Sequence, residues 1–327
     1  MTLAGTRPAP THAPVPVHGR SATYLLLGAL ALIWGGHWAV TKVGLHYVPP
    51  FTYSTIRVVI GLAALLAILT ARGGVARPGR EDLPVVLAVG LGQMAATMAL
   101  ISLALQFVPA GRSAILQYTM PLWAAAMQLA VYRTRLTGRE VAGLLLGIAG
   151  VGVLLNPATI DWRSPEIVLG SGMLLLGAVI WAGTTILLRR HAWRSPPLEL
   201  IPWELVVALV PLTVMTLIFE RGRTIGPDPV VVPILAFSGL LATAFAYFAS
   251  QSITRSLSPM GTTVSFLAVP VVGLASGAIA LGEPLSVLDI VGFAFVAAGI
   301  ACVSSRAAPS PEIADASPWT SPEPEAG

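Results

Sequence analysis

Two formal charges stand well inside long apolar runs of this chain, Arg57 and Glu204. An ionisable group surrounded by apolar neighbours is expensive unless it is paired or faces water, so each is a candidate for function. Glu204 is the acid best placed to carry a proton, and the imidazole of His37 titrates near neutral pH. A second set combines aromatic rings with amides and hydroxyls. Trp34, His37, Trp38 and Thr41 recur at three and four residues and share one helical face. Gly90, Gln93 and Thr97 do the same in another run, as do Trp181 with Thr184 or Thr185 in a third. Ser113, Gln117, Pro121, Ala124 and Gln128 form a further face, and Thr262, Ser265, Val269, Gly273 and Ser276 its counterpart. Rings beside amides suit an organic solute with an apolar body and a polar handle. The expected substrate path is therefore Trp34, His37, Trp38, Gln93, Thr97, Gln117, Trp181, Thr184 and Ser265. A single buried hydroxyl also serves plain helix–helix hydrogen bonding, worth under about 1 kcal/mol. Pro121 and Pro270 each remove a backbone hydrogen bond near mid-run and are expected to act as helix hinges. No H-E-x-x-H, G-x-S-x-G or C-x-x-C pattern occurs, and Cys302 is the only cysteine. An enzyme, a multi-cysteine metal site and a cofactor are not expected. The single lysine, Lys42, fits no P-loop, so energy should come from a gradient or from exchange.

These residues must be held by membrane helices. Of the 327 residues, 55% are apolar or aromatic and 10% are charged, against about 25% charged in a soluble domain. Ten apolar runs cover roughly 23–43, 51–70, 84–106, 111–131, 140–156, 167–188, 199–219, 231–252, 261–281 and 285–304. About 20 residues at 1.5 Å each cross 30 Å of hydrocarbon. Lipid leaves backbone groups no partner outside the chain, so each run is expected to be a helix. The first run is too long for a signal-peptide core and has no small-residue cleavage site, so it counts as a span. The proline-rich ends, 1–22 and 305–327, are expected to be disordered cytoplasmic tails.

The runs are duplicated. The stretch PLWAAAMQLAVYRTRLTGREVAGLLLGIAGVGVL from Pro121 aligns without a gap on PVVGLASGAIALGEPLSVLDIVGFAFVAAGIACV from Pro270. IWGGHWAVTK from Ile33 aligns on IWAGTTILLR from Ile180, which pairs Trp34 with Trp181, Pro50 with Pro197 and Arg57 with Glu204. The units run over 23–156 and 167–304. Five helices is an odd number, so the second unit enters the membrane upside down. The gaps facing one side, with the tails, carry thirteen basic residues, against five on the other. The positive-inside rule makes that first side cytoplasmic. The fold class expected is an all-α membrane protein of ten transmembrane helices, built as two inverted five-helix repeats. Inversion also sets Arg57 and Glu204 at different depths, about 10 Å apart, so each should snorkel or meet a local partner rather than the other.

With WGGHWAVTK, PPFTYSTIRVVIGL, the helix of Pro121 and LGEPLSVLDIVGFAFVAAGI in this order, the chain resembles the EamA-type transporters of the drug/metabolite transporter superfamily. The likeness covers about residues 23–304. It implies secondary transport of a small organic metabolite, with export as the expected direction, through a cavity surrounded by helices 1, 3, 4, 6, 8 and 9 and braced by 5 and 10. His37 replaces a frequent asparagine, and Thr134 stands where the first unit often repeats the glutamate seen at Glu283. The expected place is the bacterial plasma membrane. Expected partners are a small-molecule substrate and the bilayer, with proton coupling and a homodimer left open and nucleic acid excluded. The alternative reading is a non-transporting membrane scaffold or sensor, which short gaps between runs disfavour.

Overall fold

The computed structural model describes residues 20–130, 137–156, 163–191, 195–256 and 266–304. Most of both tails, Thr262, Ser265, Arg133 and Arg135 lie outside these. Among the described residues every regular element is helical. In chain order they are α1 (Arg20–Gly44), α2 (Pro50–Ala71), α3 (Leu83–Ala104), α4 (Ala110–Gln117), α5 (Met120–Ala130) and α6 (Gly138–Leu154). They continue as α7 (Pro165–Arg190), α8 (Pro197–Phe219), α9 (Val231–Ile253), α10 (Ala268–Leu281) and α11 (Val287–Ser304). Six of them, α1, α2, α3, α7, α8 and α9, are long and apolar enough to cross a membrane, while α10 and α11 are apolar but shorter.

Sequence punctuation sets the helix ends. Pro50, Pro165 and Pro197 open α2, α7 and α8, where a missing N–H goes unnoticed. Thr137 and Glu140 form a reciprocal capping box at the start of α6. Gly282 takes φ 65° to end α10. The hinge prolines act differently from expectation. The fourth run breaks into α4 and α5 at Tyr118–Thr119, and Pro121 stands in the first turn of α5. Pro270 likewise stands in the first turn of α10, after a turn at Leu267. Each proline stands near the start of a new helix instead of bending a continuous one, because it has no N–H for the carbonyl four residues back and its ring crowds that carbonyl.

Two helices hold a feature the periodicity did not disclose. The middle of α3, Val89–Ala96, and the middle of α9, Phe237–Phe245, are wound as π-helices. In each a threonine hydroxyl donates to the carbonyl five residues back, Thr97 to Gly92 and Thr243 to Ser238. The wider turn leaves backbone carbonyls available to other partners, and such segments collect at functional sites.

Glycines set the packing between the two units, and the contacts come in exchanged pairs. A Cβ on Gly143 of α6 would lie 2.8 Å from Gly299 O of α11, and one on Gly150 would lie 2.9 Å from Gly292 O. The repeat alignment pairs Gly143 with Gly292 and Gly150 with Gly299, so swapping the units turns one contact into the other. The order of these contacts also makes α6 and α11 antiparallel. The same exchange recurs between α2 and α9 and between α3 and α8. A Cβ on Gly239 would meet Arg57 O and Ile60, and one on Gly90 would meet Glu204 O and Val207.

Carboxylates from distant loops tie down helix starts. Glu220 accepts from the backbone N–H of Phe51 (2.9 Å) and Thr52 (2.7 Å) at the head of α2. Asp82 accepts from the hydroxyl of Ser195 at 2.6 Å, just before α8. Glu283 accepts from Ala110 N (2.7 Å) and Gly111 N (3.1 Å) at the head of α4, and pairs with Lys42 at 3.4 Å. A carboxylate on the free N–H groups of a helix start complements both the unpaired donors and the dipole.

Candidate functional site: a central aromatic cavity

A cavity lies among α1, α2, α3, the α4–α5 break, α7 and α9. Its lining includes Trp34, His37, Trp38 and Thr41 of α1, Gln93 and Thr97 of α3, Gln117 of α4 and Trp181 of α7. The rings form a connected wall. Trp34 meets Trp181 edge-on at 5.8 Å between centroids and Tyr247 at 5.6 Å, and it stacks on Phe266 at 6.2 Å. Edge-to-face contacts at these distances fix the rings against one another.

The π-helical segments anchor this wall. Trp34 Nε1 donates to Ala242 O at 3.1 Å, and Tyr247 Oη donates to Gln93 O at 3.2 Å. Gln93 and Ala242 occupy the same place in the two π-segments, four and five residues into each. Each widened turn thus offers a carbonyl to a ring contributed by the opposite unit.

The polar groups vary in how fully they are satisfied. Thr41 Oγ1 bridges the ring nitrogens of His37 at 3.1 and 3.4 Å, and His37 stacks on Phe237. Gln93 Nε2 donates to Thr185 Oγ1 at 3.4 Å. Gln117 is buried, yet neither its Oε1 nor its Nε2 has a hydrogen-bond partner among the described residues. A buried amide without partners costs about 1–3 kcal/mol, so its place on the cavity wall calls for a ligand or water.

Three expected site residues stand apart. Thr184 donates to Ile180 O within its own helix, packs where Gly92 leaves room, and does not line the cavity. Ser265 lies outside the described residues. Glu204 is 0% exposed on α8, receives a 2.6 Å hydrogen bond from Gln251 Nε2 and does not line the cavity, although α9 carries both Gln251 and the lining residue Tyr247.

Arg57 meets local partners on α9, the second of the two outcomes expected of it, and its place on the cavity wall is what the sequence did not disclose. It is 6% exposed, so it does not snorkel, and it lines the cavity from α2. Nε donates to Thr243 Oγ1 at 3.0 Å and Nη2 to Ala242 O at 3.3 Å. Among the described residues Arg57 and Glu204 form no ion pair, and both hydrogen-bond to α9. Tyr247 and Tyr118 also line the cavity and were not among the expected residues, although Tyr247 shares a helical face with Thr243 and Gln251.

At the end of the bundle that holds Lys42, α10 packs closely on α4 and α1. A Cβ on Gly273 of α10 would lie 2.6 Å from Ala114 Cβ of α4, and one on Gly277 would lie 3.0 Å from Gly111 N. A Cβ on Gly35 of α1 would collide with Val272. The Lys42–Glu283 pair and the Arg112–Asp289 pair at 3.0 Å lie at the same end.

Comparison with known proteins bears on what this arrangement does. The model of the EamA-like transporter family matches residues 21–156 and again 168–305. A Salmonella typhimurium protein named "Probable amino-acid metabolite efflux pump" is 28% identical over 281 residues, which cover 83% of this chain and 91% of that protein. The Escherichia coli protein of the same name is also 28% identical, over 84% of this chain and 93% of that one. The Bacillus subtilis "Uncharacterized transporter YoaV" is 24% identical over 84% and 95%. A solved crystal structure with a TM-score of 0.63 and 24% identity, covering 87% of this chain and 96% of its own, shares the fold.

Proposed function

The chain belongs to the EamA-like transporter family, and from that premise we propose that it is a secondary exporter of a small organic metabolite working by alternating access. The observation that carries this reading is the cavity itself: rings and an unsatisfied amide, enclosed between the two units, with close glycine contacts at one end of the bundle. A plain scaffold would have no use for a buried amide held without a partner, and the short gaps between the apolar runs disfavour a sensor. In this reading the ten apolar runs are ten crossings of two inverted units, and the exchanged glycine contacts support that symmetry. Both tails face the cytoplasm, as the thirteen-to-five split of basic residues supports. The end closed by Lys42 and Glu283 is then the external mouth. Two relatives with efflux pump in their names favour the outward direction.

The test uses cysteines placed singly at Trp34, Gln117 and Trp181 in a Cys302→Ser background. Each is expected to react with small aqueous thiol reagents, and a transported metabolite found by a proteoliposome efflux screen should protect all three. Inertness at all three beside labelled control positions would remove the cavity from the pathway.

Coupling to protons through Glu204 is part of the proposal. Its Oε1 has no hydrogen-bond partner among the described residues and it shares α9 contacts with the cavity wall, so it is held where a proton can matter. Glu204→Gln keeps the shape and the amide partner but cannot titrate. The expected result is loss of pH-driven accumulation with exchange of labelled for unlabelled substrate retained. Unchanged accumulation at every pH would assign coupling elsewhere.

A further inference from the structure

Resting on the transport reading above, we propose that the cavity selects a small carboxylate, its anionic head on Arg57 and its apolar body against Trp34, Trp181 and Tyr247. Arg57 is the one formally charged side chain among the residues that line the cavity, and no carboxylate lines it. Among the described residues none lies within ion-pair distance of the guanidinium. The two bonds Arg57 makes go to neutral acceptors, a threonine hydroxyl and a backbone carbonyl, and use two of its five N–H groups. A buried charge without a counter-charge is strongly disfavoured, more so at membrane depth. The acid that the repeat sets opposite it, Glu204, is fully buried on another helix and engaged by Gln251. The missing negative charge must therefore arrive with the ligand. A guanidinium presents a planar fork that a carboxylate matches with two parallel hydrogen bonds.

The rest of the wall narrows the class. Rings 5.6–6.2 Å apart in centroid, set edge-on or tilted to one another, offer an apolar wall of faces and edges for a ring-sized or branched body. Gln117 contributes one donor group and one acceptor, both without partners, and so accommodates a second polar substituent such as an amino group. The class shared by both sources of this chemistry is a monocarboxylate with an apolar body, either a simple organic acid or an amino acid.

Binding is read on the purified full chain from its own tryptophan fluorescence, since Trp34, Trp38 and Trp181 all line the cavity. The probes are 3-phenylpropanoate and L-phenylalanine, each against its amide, 3-phenylpropanamide and L-phenylalaninamide. At least one acid is expected to bind about tenfold or more tightly than its amide, the difference a charge-assisted hydrogen bond makes. Arg57→Gln should erase that preference while leaving weak amide binding, and Arg57→Lys should restore part of it. Preference for phenylalanine over 3-phenylpropanoate would assign the amino group to Gln117, and the reverse would assign a simple acid. Equal affinity for acid and amide in the unaltered chain overturns the proposal without any variant, as does acid binding that survives Arg57→Gln. Binding of amides alone, or of none of the four, also overturns it. Labelled acid that binds through Arg57 but never leaves loaded proteoliposomes would instead uphold the carboxylate site and refute transport.

Discussion

Replacing Gly299 by leucine is expected to prevent the bundle from assembling as a stable unit. A Cβ at that position would stand 2.6 Å from Gly143 O, 2.7 Å from Gly147 N and 2.9 Å from Gly147 Cα. All three are backbone atoms of α6, which no rotamer change can move aside. Overpacking a well-packed interface costs about 1–3 kcal/mol when side chains can yield, and more where only backbone is available. A loss near 3 kcal/mol corresponds to a fall in thermal midpoint on the order of 5–10 °C. The measurement is a thermal melt followed by size-exclusion chromatography of the detergent-solubilised protein. Gly152→Leu is the control: it lies on α6, the helix that Gly299 of α11 packs against, and a Cβ there would meet nothing within 4 Å. Equal losses for the two variants would mean that helix propensity, not the α6–α11 contact, governs the result.

Glu283→Ala is expected to open the mouth it now helps to close. The carboxylate holds two N–H groups at the head of α4 and the ammonium of Lys42, joining the α10–α11 turn to α4 and α1. Hydrogen bonds to a charged acceptor contribute about 1.5–3 kcal/mol each, part of which water replaces once the mouth opens. If these bonds form only in the closed arrangement, their loss shifts the population towards the open one by their differential energy. About 1.4–3 kcal/mol translates into a 10- to 100-fold change. Cysteine at Gln117, in a Cys302→Ser background, should then react about tenfold faster or more with a membrane-impermeant thiol reagent added outside. An unchanged rate, with the protein still monodisperse, would show that the glycine contacts alone seal this end.

Duplication was legible in the residues because Pro121 and Pro270, and the glycines that follow them, recur at one fixed offset. Those glycines cannot drift when their Cα hydrogens meet the backbone of the other unit. The polar faces were legible for a similar reason: lipid is a uniform solvent, so a repeated polar residue on a helix must point inward. What escaped was whatever depends on winding rather than on residue type. A π-segment obeys no 3.6-residue period, so the pairing of Gln93 with Ala242, whose carbonyls accept from the cavity rings, could not be read from faces. Arg57 escaped through a depth argument. A local partner was one of the two fates expected of it, and Thr243 and Ala242 supply it, but depth alone could not say that the guanidinium also faces the cavity. Thr184 erred in the other direction: its hydroxyl satisfies a carbonyl of its own helix, a use that helical spacing does not reveal.

The exchanged contacts carry an energetic corollary. If the two units were identical in sequence, the inward-open and outward-open forms would be one structure viewed from opposite sides. They would be degenerate, each populated half the time, with no ligand and no gradient needed to maintain the balance. Every residue that differs between equivalent positions lifts that degeneracy. Arg57 answers Glu204, Trp38 answers Thr185, and Glu283 answers Thr134, which has no carboxylate to offer. On the alternating-access reading, the last of these would add to one form alone the part of its capping and ion-pair energy that water does not replace in the other. On that reading the resting bias of the protein lies in its departures from symmetry. Back-substituting them pair by pair should bring the two populations step by step towards equality.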